Sequence, residues 1–220
     1  KSLKSSNYSR TKRDNNSAEL ISKVLYPPDN HNEGKSLRLK QQYFLVSASI
    51  QNIIKNHIKE YGTLDNFSEK VVIHINDTHP ALCVPELMRI FMDEYHYSWD
   101  EAFKMVTETV NYTNHTVLSE ALEKWPEVLI KHLMPRIYGI IKELNERFCA
   151  DMWSKYPGDW DKISRMSIIS NDQVKMANLS VIGSKKVNGV SQLHSDILKE
   201  DVFADFYHAS PNKFTNVTNG

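Results

Sequence analysis

The sequence predicts an α/β fold in which helix predominates. Three features predict it. A short β-branched run, Val71 to Ile75, reads as a strand covered on both faces, as in a parallel sheet. Apolar residues recur at helical spacing over long stretches before and after that run. A second apolar run, Leu179 to Ile182, stands in the same strand, loop, helix order, and that alternation is the α/β pattern.

Along the chain, Asn16 and Glu19 have the spacing of a helix start, and Leu20, Ile21, Val24 and Leu25 continue it until Tyr26-Pro27-Pro28 stops it. PPDNHNEGK is then a polar loop. From Arg38 to Tyr61 the residues Leu39, Tyr43, Val46, Ile50, Ile54 and Ile58 stripe one face of a long helix, which Gly62 closes with a left-handed cap. The first strand ends at NDTHP, and Pro80 and Pro85 precede a helix carrying Leu87, Ile90 and Phe91. Ser98 and Glu101 form a capping box for the next helix, whose core face is Phe103, Val106 and Val110. NYTNHT, Asn111 to Thr116, reads as a polar loop that satisfies its own backbone. A helical region from Glu127 to Trp153 places Leu133, Ile137, Ile141, Leu144 and Phe148 on one face and is broken or bent at Pro135, which cannot donate to the preceding turn. After the second strand come GSKKVNG and a helix with Val190, Leu193 and Ile197.

Bulk properties narrow the functional classes. With 27 Lys+Arg against 27 Asp+Glu, the chain has no overall field to attract nucleic acid or an acidic membrane. No apolar run approaches the roughly 18 to 20 residues that cross a bilayer, and no hydrophobic signal segment opens the chain, which points to a cytoplasmic protein. Cys83 and Cys149 lie among apolar neighbours as buried thiols, without metal-ligand spacing, and no HExxH or paired Cys/His pattern supports a metal. The chain opens without a Met and stops at Asn219-Gly220, so both edges look cut from a longer protein.

In open parallel sheets, ligands bind beyond the carboxyl ends of the strands. Asp77, Thr78 and His79 hold that position after the first strand. There a carboxylate can accept paired hydrogen bonds from a polyol and an imidazole can meet a sugar oxygen. Alternatively, Asp77 or Thr78 caps the following helix and His79 is a satisfied loop histidine. GSKKVNG, with Lys185, Asn188 and Gly189, is placed equivalently after the second strand. Its glycines let backbone approach a ligand, although the stretch is neither a Walker loop nor GxGxxG and can equally be a turn.

The stretches LYPPDN, LRLKQQYFLVSAS, NDTHPAL, PELMRIFMDE, NYTNHTVLSEALEKWP, VNGV with HSDI, and FTNVTNG, in this order and spacing, resemble the middle of an α-glucan phosphorylase of the glycogen, starch and maltodextrin type. The likeness runs from about Asn16 to Gly220. It implies phosphorolysis of an α-1,4-glucan by inorganic phosphate, with release of glucose 1-phosphate and pyridoxal 5'-phosphate as cofactor. It also implies a homodimer, and a helix-rich part of the N-terminal, Rossmann-like domain of a two-domain glycosyltransferase B type fold. Residues 1–25 then correspond to an exposed interface helix region and 26–220 to the α/β body. The C-terminal domain that binds most of the cofactor lies outside the chain, so the piece alone is expected to be inactive.

By position in the likeness, Asn30 resembles the gate-loop asparagine that contacts the glucosyl unit, and Tyr26 an aromatic at the mouth of the site. Asp77 and His79 resemble catalytic-site neighbours of the sugar and of the acceptor glucan, with Thr78 between them. Lys185 falls where many members carry a histidine whose main-chain carbonyl meets glucose, and Asn188 and Gly189 match the loop after it. Where regulated animal members have an Arg-Arg pair for the activator's phosphate, this chain has Lys55-Asn56, which implies weak or absent AMP activation. Two other readings compete: a nucleotide-sugar glucan synthase, for which no motif speaks, and a non-catalytic glucan-binding scaffold. Exposed aromatic platforms would favour the scaffold, whereas the four tryptophans look scattered.

Overall fold

The computed structural model of the protein describes residues 19, 21–23 and 32–220. The expected helix over Asn16 to Leu25 falls mostly outside the described residues, and the stop at Tyr26-Pro27-Pro28 and the position of Asn30 fall wholly outside them. The chain divides into two compact units, residues 1–45 and 46–220, and the sheets and the candidate site belong to the second.

Helix α1 spans Asn32–Tyr61. Gly62, at φ 72°, closes it in the left-handed region expected of it, its N–H donating to the Ile58 carbonyl at 2.8 Å. The single turn α2 (Phe67–Lys70) leads to strand β1 (Ile73–Asn76). Helix α3 (Cys83–Arg89) continues through a wider π-type turn, Ile90–Glu94. Helix α4 (Trp99–Thr109) starts on the expected box: Ser98 Oγ accepts from Glu101 N–H, and the Glu101 carboxylate accepts from Ser98 N–H at 2.9 Å. Strand β2 (Val110–Thr113) follows without a break. Strand β3 (Lys124–Pro126) leads to α5 (Glu127–Leu133) and α6 (Pro135–Lys155), so Pro135 does not bend one helix but opens a second. Its missing N–H costs nothing in a first turn. Then come α7 (Trp160–Met166), β4 (Ile169–Ser170), β5 (Gln173–Lys175), α8 (Met176–Gly183), β6 (Val187–Gly189), α9 (Gln192–Ile197), α10 (Ala204–Ala209) and β7 (Phe214–Asn216).

The main sheet is parallel, in the order β1-β2-β6-β7, and a small antiparallel sheet has the order β3-β5-β4. Ile75, Val110, Tyr112 and Val187 lie in the core with the apolar faces of α3, α4 and α8.

The structure corrects three expectations. Leu179 to Ile182 is not a strand but the middle of α8, every residue of which is buried. A short apolar run fits a buried helix as well as a buried strand, and Ser180 returns its hydroxyl to the Met176 carbonyl at 2.9 Å, a bond only the helical turn allows. α8 packs so closely on α3 that a Cβ on Gly183 would stand 2.5 Å from a Val84 methyl. NYTNHT is not a loop throughout, because Asn111 to Thr113 belong to β2, paired with β1 on one side and β6 on the other. β1 is not covered on both faces: among the described residues it is the end strand, with His74 exposed and Val72 just before it 74% exposed.

Candidate active site

The parallel sheet brings the carboxyl ends of β1, β2, β6 and β7 to one edge, and the polar side chains gather there. Asp77 leaves β1 at φ 64°, a left-handed conformation that Asp tolerates better than most residues. Two bonds hold it: its N–H donates to the Thr113 carbonyl at 3.0 Å, and its Oδ1 accepts from Thr78 N–H at 2.6 Å. Helix α3 has Leu82 at its N-terminal boundary and no side-chain cap, so Asp77 and Thr78 do not serve the capping role. The Asp77 carboxylate therefore keeps one oxygen turned to other duties, on a side chain that is only partly buried. Thr78 is buried and His79 is exposed on the turn beyond it.

A residue that the sequence reading left in a polar loop joins them. His115 follows β2 and pairs through Nε2 with the Asn76 Oδ1 at 2.6 Å, beside Asp77. The signal was present as Val110 and Tyr112, two apolar residues alternating with polar ones ahead of the histidine.

Behind this rim the buried polar side chains are hydrogen-bonded to one another and to the backbone. Asn114 is buried, donating from Nδ2 to the Tyr112 hydroxyl at 3.0 Å and accepting from Thr116 N–H at 2.8 Å. His194 ties β6 to the same loop. Its Nδ1 accepts from Val190 N–H at 3.2 Å, which leaves Nε2 to donate to the Thr116 carbonyl at 3.2 Å. Asn188 accepts from the Thr113 hydroxyl at 2.9 Å and donates to the Gly189 carbonyl at 2.8 Å. Its amide thus bonds internally, and Asn188 builds the floor. Gly189 is required by packing, since a Cβ there would stand 2.8 Å from Ser195 N.

Lys185 is not at this rim. Its N–H donates to the Val110 carbonyl at 2.7 Å, and Val110 pairs with Ile73, the first residue of β1. Asp77 lies four residues beyond Ile73, roughly 13 Å along the strand. With GSKK preceding β6 rather than following a strand, the structure separates Lys185 from Asn188 and Gly189. Tyr26 and Asn30 lie outside the described residues. Trp153 and Trp160, read as scattered, meet at 4.3 Å between ring centroids, both exposed. Among the described residues no three His, Cys, Asp or Glu side chains gather as a metal site, and no helix is long and apolar enough to cross a membrane.

A sheet edge that presents a carboxylate, an imidazole and a hydrogen-bonded amide floor can meet a polyhydroxyl ligand with paired hydrogen bonds. The whole chain, residues 1–220, matches the family model for carbohydrate phosphorylases. The chain belongs to the carbohydrate phosphorylase family. It is 58% identical over 202 residues to a glycogen phosphorylase of Bacillus subtilis, covering 92% of this chain and 25% of the relative. The chain is 51% identical over 205 residues to a Chlamydia pneumoniae glycogen phosphorylase, covering 92% and 25%, and 50% identical over 218 residues to the muscle form from Ovis aries, covering 94% and 26%. It therefore spans about a quarter of the length of these relatives.

The two lysines whose amines burial lowers to about 8, Lys175 and Lys213, each donate to two backbone carbonyls, at Ser164 and Arg165 and at Val181 and Ile182. The rim residues Asn76, Asp77, His79 and His115 include no amine for a Schiff base.

Proposed function

We propose that this chain forms the sugar-facing wall of an enzyme that phosphorolyses α-1,4-glucan, releasing glucose 1-phosphate. The observation that carries the reading is the bond of His115 to Asn76 at adjoining strand ends, next in sequence to an Asp77 whose N–H and Oδ1 are both held by backbone groups. The free carboxylate oxygen of Asp77 accepts from sugar hydroxyls and lends negative charge to a sugar that becomes oxocarbenium-like as its glycosidic bond breaks. His115, held by Asn76 through one nitrogen, presents the other to a hydroxyl. His79 stands outermost, toward the acceptor glucan, and Asn30 and Tyr26 keep the roles the family likeness gives them, a glucosyl contact for Asn30 and an aromatic at the mouth for Tyr26. Asn188 and Gly189 act from beneath, by setting the height of the floor. The second wall, the cofactor pyridoxal phosphate and the phosphate-binding groups belong to a following domain, in a two-domain arrangement of the glycosyltransferase B type. The intact enzyme works as a cytoplasmic homodimer, and this chain alone does not turn over. Lys185 has no part in sugar binding.

The test is release of glucose 1-phosphate from maltodextrin and inorganic phosphate by the intact enzyme, with Asp77→Asn alongside. Phosphate-dependent release that Asp77→Asn suppresses supports the reading, and an inactive intact enzyme removes it. The exposed pair Trp153 and Trp160 favours a second reading, a glucan-binding scaffold without catalysis. Retention on immobilised glucan with no phosphorolysis would select it.

A further inference from the structure

The amino end of the sheet holds a cavity that the proposed reaction does not use. It measures about 370 Å³, within the range of small-molecule sites, and lies wholly in the second unit. Phe103, Phe148, Met152 and Phe206 form its apolar wall, the two rings of Phe148 and Phe206 lying 5.8 Å apart. Set into this wall is Ser184, 1% exposed, whose hydroxyl has no hydrogen-bond partner. A buried hydroxyl without a partner costs about 1–3 kcal/mol, so the site is incomplete as it stands.

Lys213 lines the same cavity. Its ammonium donates to the carbonyls of Val181 and Ile182, the last turn of α8, at 2.8 and 3.3 Å, which leaves one of its three hydrogens uncommitted. Among the described residues it makes no ion pair, and burial alone lowers its amine to about 8. The exposed Lys185 adds a second cation to the lining. Apolar rings, a hydroxyl donor and an uncompensated ammonium within one small cavity define the complement of a flat apolar body with one carboxylate.

We propose that this cavity is a second ligand site, which takes a small aromatic carboxylate, its carboxylate on Lys213 and the Ser184 hydroxyl and its ring against Phe148 and Phe206. The proposal does not depend on the phosphorolysis reading. Such a ligand would satisfy the orphaned hydroxyl and the third ammonium hydrogen together, and it would act at the opposite end of β6 from Asn188 and Gly189.

Calorimetric titration of the intact enzyme with indole-3-acetate, with neutral indole as control, tests it. Saturable binding of the carboxylate is expected, with indole at least ~10-fold weaker, since a charge-assisted bond is lost. Lys213→Met and Ser184→Ala should each weaken the acid about 10-fold or more, and Ala209→Trp, which fills the cavity, should abolish binding. Ser184→Ala removes a buried hydroxyl with no partner and so does not lower the melting temperature, which keeps the test valid if Lys213→Met fails to fold. Absence of saturable binding, as when the rest of the polypeptide fills the cavity, would overturn the proposal. So would equal affinity for indole, or binding indifferent to Ser184→Ala and Ala209→Trp.

Discussion

The two ends of the parallel sheet differ in what they leave unfinished. At the carboxyl end the backing residues Asn114, Asn188 and His194 are all buried and hydrogen-bonded, while one carboxylate oxygen of Asp77 and the exposed imidazoles are left for a ligand. At the amino end the cavity has an apolar wall, and the Ser184 hydroxyl set into it has no partner. The difference teaches that one end is built to hold geometry and the other to be completed by something else. Rigid backing suits a site where small displacements of reacting groups lose rate. An incomplete apolar cavity suits a ligand that binds by desolvation.

The largest effect expected at the carboxyl end is at Asp77. Asp77→Asn keeps the left-handed backbone and the acceptor for Thr78 N–H while removing the charge, so turnover of the intact enzyme should fall ~100-fold with an unchanged melting temperature. Near-normal turnover would reduce this end to a structural network. Next, Gly189→Ala should cost about 1–3 kcal/mol in urea denaturation, because Ser195 backbone cannot move aside. An equal stability would mean that the β6–α9 contact is loose.

His194 separates positioning from mere stability. His194→Leu should cost roughly 10-fold in kcat/KM, chiefly through KM, as the His115 loop loses its tie, whereas His194→Gln, with one acceptor and one donor, restores most of it. Equal loss in both variants would show that only the imidazole's packing matters.

At the amino end the expected signature is in pH. The Lys213 amine is lowered to about 8 from 10.5, so on raising the pH the folded chain gives up this proton before the unfolded chain does. The unfolded state then binds more protons and stability climbs between about pH 8 and 10.5, an increment that Lys213→Met should remove in denaturation series across that range. The smallest effect belongs to neither end: Lys55 and Asn56 are both exposed on α1, and AMP should activate the intact enzyme less than about twofold, since one flexible cation holds a phosphate weakly. Strong activation would show a phosphate site built from other residues.

What could be read from the sequence was local chemistry. The Ser98 box, the Gly62 cap and the position of Asp77 after a strand each depend on a few neighbouring residues, and each stands where expected. What could not be read depended on partners distant in sequence. Asn111 and Thr113 look like loop residues until Lys186 N–H and the Asn188 amide supply their bonds from 75 positions away. Leu179 to Ile182 cannot be told from a strand until α3 is laid against Gly183. Misreading both shifted the apparent strand ahead of GSKK, which moved Lys185 to the wrong end of the sheet and hid His115.

The open side of β1 has a practical consequence. Among the described residues β1 is the end strand, and such a strand, with Val72 bare beside it, is a template onto which another chain can add by backbone pairing. Produced by itself, this piece would self-associate along that ribbon, and replacing Val72 by lysine is the simplest way to keep it in solution.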